Sequence, residues 1–283
     1  MSGKSRFSVV YAKVFVSIAI LGSSGVLIKL ADLPSGTLSF LRMGIPALLI
    51  FTYLKAHKIV IFRTSVKLML LGSALNAVRV FLYIYSFNYT SIAKAVMILY
   101  TWPISANIFS ILFLGEQVPR RNLYLLSLPM VGVSLLFIDQ PFSLDNEDFL
   151  GMSAMLLSAT IYAITVIIFK RKADEYTGPE ITFYQCFIGA VVFLPLFVLE
   201  RANATLWQMG IGASYAVLVG VVAFGLYFST LRHIKASTLS FLSYLEVVVA
   251  ICFGVAVFDD TLSWNIISGG CLIVASTLLI KKN

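Results

Sequence analysis

Apolar residues run along this chain in long stretches, broken by short clusters of charge, glycine and proline. A helix that crosses the apolar layer of a bilayer needs about 20 such residues in succession. Reading from one polar cluster to the next yields ten runs near that length: Val14–Ala31, Gly36–Leu54, Lys67–Phe87, Ile92–Leu114, Leu123–Ile138, Phe149–Phe169, Pro179–Leu199, Leu206–Thr230, Ser237–Phe258 and Leu262–Ile280. The runs lack the period-2 alternation of barrel strands, and backbone inside lipid must satisfy its own hydrogen bonds, so each run reads as a helix. The connections are short, and no segment is large enough to be a soluble domain. The pattern predicts an all-α integral membrane protein with ten transmembrane helices.

Charge gives the bundle a direction. With the N-terminus inside, one set of connections and ends carries Lys4, Arg6, Lys13, Lys55, Lys58, Arg63, Lys67, Arg120, Arg121, Lys170, Arg171, Lys172, Arg232, Lys235, Lys281 and Lys282. The other set carries Arg201 and the acidic stretch Asp139–Asp148. Cytoplasmic loops are the basic ones, so both termini are expected in the cytoplasm and the protein in the cell's inner membrane. The net charge of +8 then reflects topology and anionic lipid, and implies no nucleic-acid partner. Composition agrees, with 59% hydrophobic and 12% charged residues, roughly half the charged share of a soluble domain. The basic segment Met1 to Lys13 is followed by no small-residue cleavage site, so the first run reads as a retained helix.

The two halves of the chain match each other. Laying Tyr100 over Tyr244 without gaps places Tyr83 on Tyr227, Ile92-Ala93 on Ala236-Ser237, and Gly115-Glu116 on Asp259-Asp260. Helices three and four thus correspond to eight and nine. The reading is two five-helix repeats, 1–141 and 142–283. An odd number of helices per repeat inverts the second in the membrane, which is a transporter architecture with a site near the midplane.

Several short elements carry a family resemblance: Phe40-Leu41-Arg42 in helix two, Tyr100-Thr101-Trp102-Pro103 and Leu114-Gly115-Glu116 in helix four, and Tyr244-Leu245-Glu246 in helix nine. Together with ten helices they resemble the EamA-type, two-repeat branch of the drug/metabolite transporter superfamily, over essentially the whole chain. Val247 stands where the second repeat of that family usually has proline, and Phe258-Asp259-Asp260 replaces its second LGE element. The resemblance implies transport of a small organic solute by alternating access, often export, for substrates from amino acids to sugars, nucleotides and drugs.

Interior charge narrows the chemistry. Lys29, Arg42, Arg79, Lys94 and Glu246 fall inside the runs, where an ion costs at least about 2.5–3.5 kcal/mol at the bilayer centre. Four cations against one acid favour an anionic or carboxylate-bearing solute. Lys29 and Lys94 lie near helix ends, where snorkelling to headgroups is the bland alternative. Arg79 shares one helical face with Asn76, Tyr83 and Ser86 at spacings of three and four, read as a cavity face or as interhelix glue. Glu246 reads as a proton-coupling carboxylate, a contact for a substrate amine, or half of a structural ion pair.

Tyr83, Tyr100, Trp102, Tyr162, Tyr227 and Tyr244 sit in run interiors, where an aromatic face with a polar tip suits organic solutes. Pro103 predicts a kink, and Pro46, Pro129 and Pro195 are further kink candidates. Glu116 and Asp260 are either solvated turn acids or gate and loop-pinning contacts. Cys186, Cys252 and Cys271 sit in apolar runs without CxxC spacing and read as small hydrophobes. His57 and His233 lie in basic loops, so no metal or cofactor site is expected. The sequence holds no HExxH, GxSxG or Walker element. The favoured reading is an exporter of amino acids or other carboxylate-bearing solutes, as monomer or homodimer, with protons as a candidate coupling ion. A multidrug or cationic amine exporter, a lipid-linked flippase and an intramembrane enzyme stand as alternatives.

Overall fold

The computed structural model describes residues 3–59, 66–114, 127–138, 143, 145–172, 175–201, 204–223, 225–226 and 245–280. Among the described residues it is helical with no strand. The helices are α1 (Gly3–Gly22), α2 (Ser24–Ala31), α3 (Ser35–Ala56), α4 (Lys67–Tyr89), α5 (Ile92–Leu99) and α6 (Trp102–Leu114), then α7 (Ser127–Phe137), α8 (Glu147–Lys172), α9 (Gly178–Glu200), α10 (Leu206–Val217), α11 (Leu245–Phe258) and α12 (Trp264–Ile280). Among the described residues, seven continuous stretches are long and apolar enough to cross a membrane, Val9–Ala31, Lys67–Tyr89 and Leu206–Ala223 being three of them. Their outward positions stay apolar, with Leu48, Leu157, Val191 and Val198 exposed, as lipid-facing surfaces require. Trp207 and Trp264 stand exposed at the first turns of α10 and α12, where an aromatic belt meets the membrane boundary. The protein is a multi-pass membrane protein.

Among the described residues, three of the predicted runs are interrupted. Val14–Ala31 starts earlier, with α1 beginning at Gly3, and is divided at Ser23. There the Ser23 and Ser24 hydroxyls donate back to the carbonyls of Ile20 and Leu21, a contact that bends helices. Ile92–Leu114 breaks at Tyr100–Thr101. Pro103 has no N–H to give the Leu99 carbonyl, and the chain turns through Thr101 N–H to Ile98 O and Thr101 Oγ1 to Ile98 O. Leu206–Thr230 widens into a π-helical turn over Leu218–Ala223, whose Ala223 carbonyl accepts from Ser17 Oγ at 2.9 Å. Pro46 and Pro195 remain inside unbroken helices. The run Ser237–Phe258 is described from Leu245 and Leu123–Ile138 from Ser127.

The halves of the chain interlock. α3 packs along α9, α4 along α8 and α9, α7 against α12, α10 against α2 and α3, and α11 against α1, α2 and α5. Each of these contacts joins a helix before residue 141 to one after 142. One buried core therefore runs through both halves, from Ile28, Leu38 and Phe87 to Tyr215 and Ala250.

One end of the bundle is acidic, and its carboxylates bind the opposite half of the chain. Glu200, closing α9, accepts from Thr37 N at 2.7 Å and from Thr37 Oγ1 at 3.0 Å. Asp260 accepts from Ile92 N at 2.8 Å. Asp148 pairs with Lys94 Nζ at 2.6 Å and accepts from Thr90 Oγ1. Gln208 Nε2 donates to the Asp32 carbonyl at 2.9 Å. Helix starts expose unpaired N–H groups and positive dipole ends, so carboxylates placed over them are stabilising. The Glu200 contact demands close approach: a Cβ on Gly36 would lie 2.6 Å from Glu200 Oε1 and 2.7 Å from Leu196 Cβ. Gly36→Val is expected to cost about 1–3 kcal/mol through overpacking, read as a lowered midpoint in a thermal melt of the purified protein in detergent. An unchanged melt would show that α3 and α9 have room to spare.

Candidate functional site

Of the five interior charges, two belong to the acidic end. Lys94 is tied into its ion pair with Asp148. Lys29, in the last turn of α2, holds its ammonium 5.4 Å from the centre of the Phe258 ring, a cation–π distance. Arg42, Arg79 and Glu246 remain at depth.

Arg79 lies in the middle of α4, whose apolar run leaves one polar face. Its Nε donates to Asn76 Oδ1 at 3.0 Å, one turn earlier on that face. The guanidinium carbon stands 4.8 Å from the centre of the Tyr162 ring on α8, and Trp102, at the start of α6, meets the same ring edge-on at 4.9 Å. Ser158, one turn before Tyr162, donates to the Arg79 carbonyl at 2.9 Å and fixes α4 against α8. Among the described residues, no carboxylate pairs with Arg79. Among the described residues, Nε is engaged by Asn76 and the guanidinium by the Tyr162 ring, and the terminal nitrogens of the fork have the geometry suited to meet a carboxylate in bidentate fashion.

Arg42 comes from α3 and lies over Tyr215 of α10, 5.8 Å from the ring centre. The π-helical turn brings the backbone at Gly220 against Arg42, so that an added Cβ there would sit 2.8 Å from Nη1. Such widened turns are common at functional sites. Arg42, Tyr83, Tyr162 and Tyr215 all lie within electrostatic reach of Arg79. Tyr83, one turn beyond Arg79, hydrogen-bonds with Ser24 Oγ at 2.9 Å, beside the break between α1 and α2. Glu246, in the first described turn of α11, accepts from the Tyr100 hydroxyl at 2.9 Å and is in electrostatic reach of Tyr83.

The residues singled out in the sequence fall into three groups. Arg42, Asn76, Arg79, Tyr83, Trp102 and Tyr162 are linked by the contacts above, and Tyr100 joins through Glu246. Asp260 is drawn elsewhere, to the start of α5 at the acidic end, where it binds backbone amides. Tyr227, Tyr244 and Glu116 lie outside the described residues, and Pro103 is described by its backbone alone. Tyr215, Ser24 and Ser158 belong to the cluster although the pattern did not single them out. Tyr215 met the same test as the other interior tyrosines, whereas serines in an apolar run carry no signal of their own.

The arrangement offers two cations and a carboxylate bound by a phenol, all within electrostatic reach of Tyr83 or Arg79. Among the described residues it shows no nucleophile–base pair and no group of His, Cys, Asp or Glu able to hold a metal.

Known proteins agree on what such a chain is. The EamA-like transporter family matches residues 8–138 and again 149–281. The pseudopaline exporter CntI of Pseudomonas aeruginosa is 26% identical over 256 residues, 89% of this chain and 88% of that protein. The threonine/homoserine exporter RhtA of Salmonella typhimurium is 23% identical over 252 residues, 86% of this chain and 81% of that one. An uncharacterized transporter of Archaeoglobus fulgidus is 29% identical over 212 residues, covering 74% and 75%. A solved structure described as "Crystal structure of protein" superposes with a TM-score of 0.66 over 97% of this chain and 98% of that one; at 18% identity this is a likeness of fold alone. With its family unit matched twice and relatives named as transporters and exporters instead of enzymes, this helical membrane protein belongs to the EamA-like transporter family, within the drug/metabolite transporter superfamily.

Proposed function

We propose that the protein exports amino acids or other small carboxylate-bearing solutes by alternating access between two inverted repeats. Arg79 takes the carboxylate, Arg42 adds to the positive field around it, and Glu246 takes an amine of the solute or a coupling proton. Tyr83, Tyr100, Trp102, Tyr162 and Tyr215 supply the apolar walls and phenol tips of the path. The two termini and the basic loops face the cytoplasm of a cell's inner membrane, as the lysine and arginine distribution favours.

The observation that carries this reading is the setting of Arg79. A guanidinium at bilayer depth is expensive, and this one is held by an amide and a ring face, with no carboxylate paired to it among the described residues. A structural role calls for an internal counter-ion; a receptor for a solute carboxylate calls for a positioned, incompletely answered fork. The presence of an amino-acid exporter among the relatives supports the same class.

Flux of labelled threonine and of other amino and organic acids in proteoliposomes tests it. Arg79→Ala and Glu246→Ala are each expected to lower flux at least about tenfold, since a hydrogen bond to a charged group contributes about 1.5–3 kcal/mol. Wild-type flux in both would remove the site from these residues, and preference for quaternary amines over every carboxylate would overturn the substrate class. Asn76→Ala leaves Arg79 in place but unanchored. It is expected to weaken binding of the transported acid about 5–30-fold, a loss of about 1–2 kcal/mol, with a smaller change in maximal flux, read from the concentration dependence of transport.

A further inference from the structure

α5 and α11 are bound to each other by a carboxylate at each end. α5 is an eight-residue rod, Ile92 to Leu99, bounded by the extended residues Thr90 and Ser91 on one side and by the break at Tyr100–Thr101 on the other. α11 runs antiparallel to it. At the acidic end Asp260 Oδ2 accepts from Ile92 N at 2.8 Å and from Ala93 N at 3.4 Å. Asp259 enters the left-handed region at φ 53° and Asp260 N–H returns to the Gly254 carbonyl at 3.2 Å, so the chain reverses and the carboxylate folds back over the end of α11. Gly254 is required there: an added Cβ would lie 2.7 Å from Asp260 Oδ2 and 3.2 Å from Ile92 Cβ. At the other end of the rod Tyr100 donates to Glu246, which is within electrostatic reach of Tyr83.

Between these two contacts the seam is apolar and narrow. Val247, Ala250 and Gly254 are buried at spacings of three and four on α11, and Val96, 4% exposed, lies on α5 midway between Ile92 and Tyr100 on one face. Whatever passes from the arginine cluster to the acidic end along this side must part α5 from α11.

We propose that the seam between α5 and α11 is the gate closing the site at the acidic end, with Asp260 as its outer latch and the Glu246–Tyr100 bond as its inner clasp. α5 moves as a unit because helical hydrogen bonding is interrupted at both its ends. The clasp rests on the functional reading above: a solute amine that occupies Glu246 competes with the Tyr100 hydroxyl and loosens the seam from the side of the site. The latch does not rest on that reading. Asp260 acts through α5 and touches no solute, so it is a positioning residue.

Sided cysteine labelling separates a gate from a merely structural contact. Cys186, Cys252 and Cys271 are replaced by alanine, Val96→Cys is introduced, and a membrane-impermeant thiol reagent is applied from one side at a time, to right-side-out cells and to inverted vesicles. Asp260→Ala is expected to speed labelling from the acidic end about fivefold or more, the shift that follows when one charge-assisted bond no longer weights the closed state. Asp260→Asn, which keeps an acceptor for the amides, is expected to restore most of the protection, and Tyr100→Phe, which removes the hydroxyl that donates to Glu246, to speed labelling from the same side. Labelling that stays slow in Asp260→Ala, or that rises equally from both sides as in a loosened fold, overturns the gate. The labelling needs no solute, so its outcome stands apart from the flux experiments that decide the substrate class.

Discussion

A guanidinium held in the middle of an apolar bundle is the constraint that most of this architecture answers. Arg79 is surrounded by groups that orient it without cancelling its charge: the Asn76 amide on its own helix, the Tyr162 face on α8, and Tyr83 one turn away. Lipid offers no water to screen such a charge, so every group near it bears on its energy. Trp102 and Ser158 act one step further out, steadying the ring and the backbone that do the holding. α4 and α8, which supply most of these groups, are continuous, while the helices packed around them depart from straight α geometry at Ser23, at Tyr100–Thr101 and along Leu218–Ala223. Broken helices free backbone and side-chain groups at depth only where protein surrounds them.

The same accounting of polar groups explains the acidic end. Asp148, Glu200 and Asp260 all bind the other half of the chain, and two of them do so at backbone amides that open helices. An amide at a helix start gains most from an anion, so these contacts stitch the halves together where interlocking helices terminate. The end is therefore acidic by charge, and its carboxylates tie α3 and α5 to the second half of the chain.

Several features were legible in the residues alone. Apolar run length and the absence of soluble segments sufficed for the helical membrane class, and Pro103 marked the break in the fourth run. The stripe Asn76–Arg79–Tyr83 could be read because a helix has a fixed period, so spacing by three and four places side chains on one face whatever surrounds them. The breaks at Ser23 and Leu218 could not be read, because a serine that bonds back to its own helix has the same sequence signature as one that does not. Lys94 looked like an interior cation; it is neutralised by Asp148, 54 residues later, a pairing set by how α5 lies against α8.

By itself, the sequence determined what each segment must be: helical, lipid-facing on one side, and carrying a few ions too costly to keep without a reason. These follow from local composition and period, because bilayer thickness and backbone hydrogen bonding act on each run separately. Tertiary structure decided which ions meet. It divided five interior charges into two that pair or stack at the acidic end and three gathered near Tyr83, and it brought Tyr215 and Ser24 to a cluster that nothing in their own neighbourhoods announces. It also turned Asp260 from a loop acid into the carboxylate that caps the start of α5. These outcomes depend on contacts between residues dozens to hundreds of positions apart, which are fixed by the packing of whole helices and not by any stretch of chain.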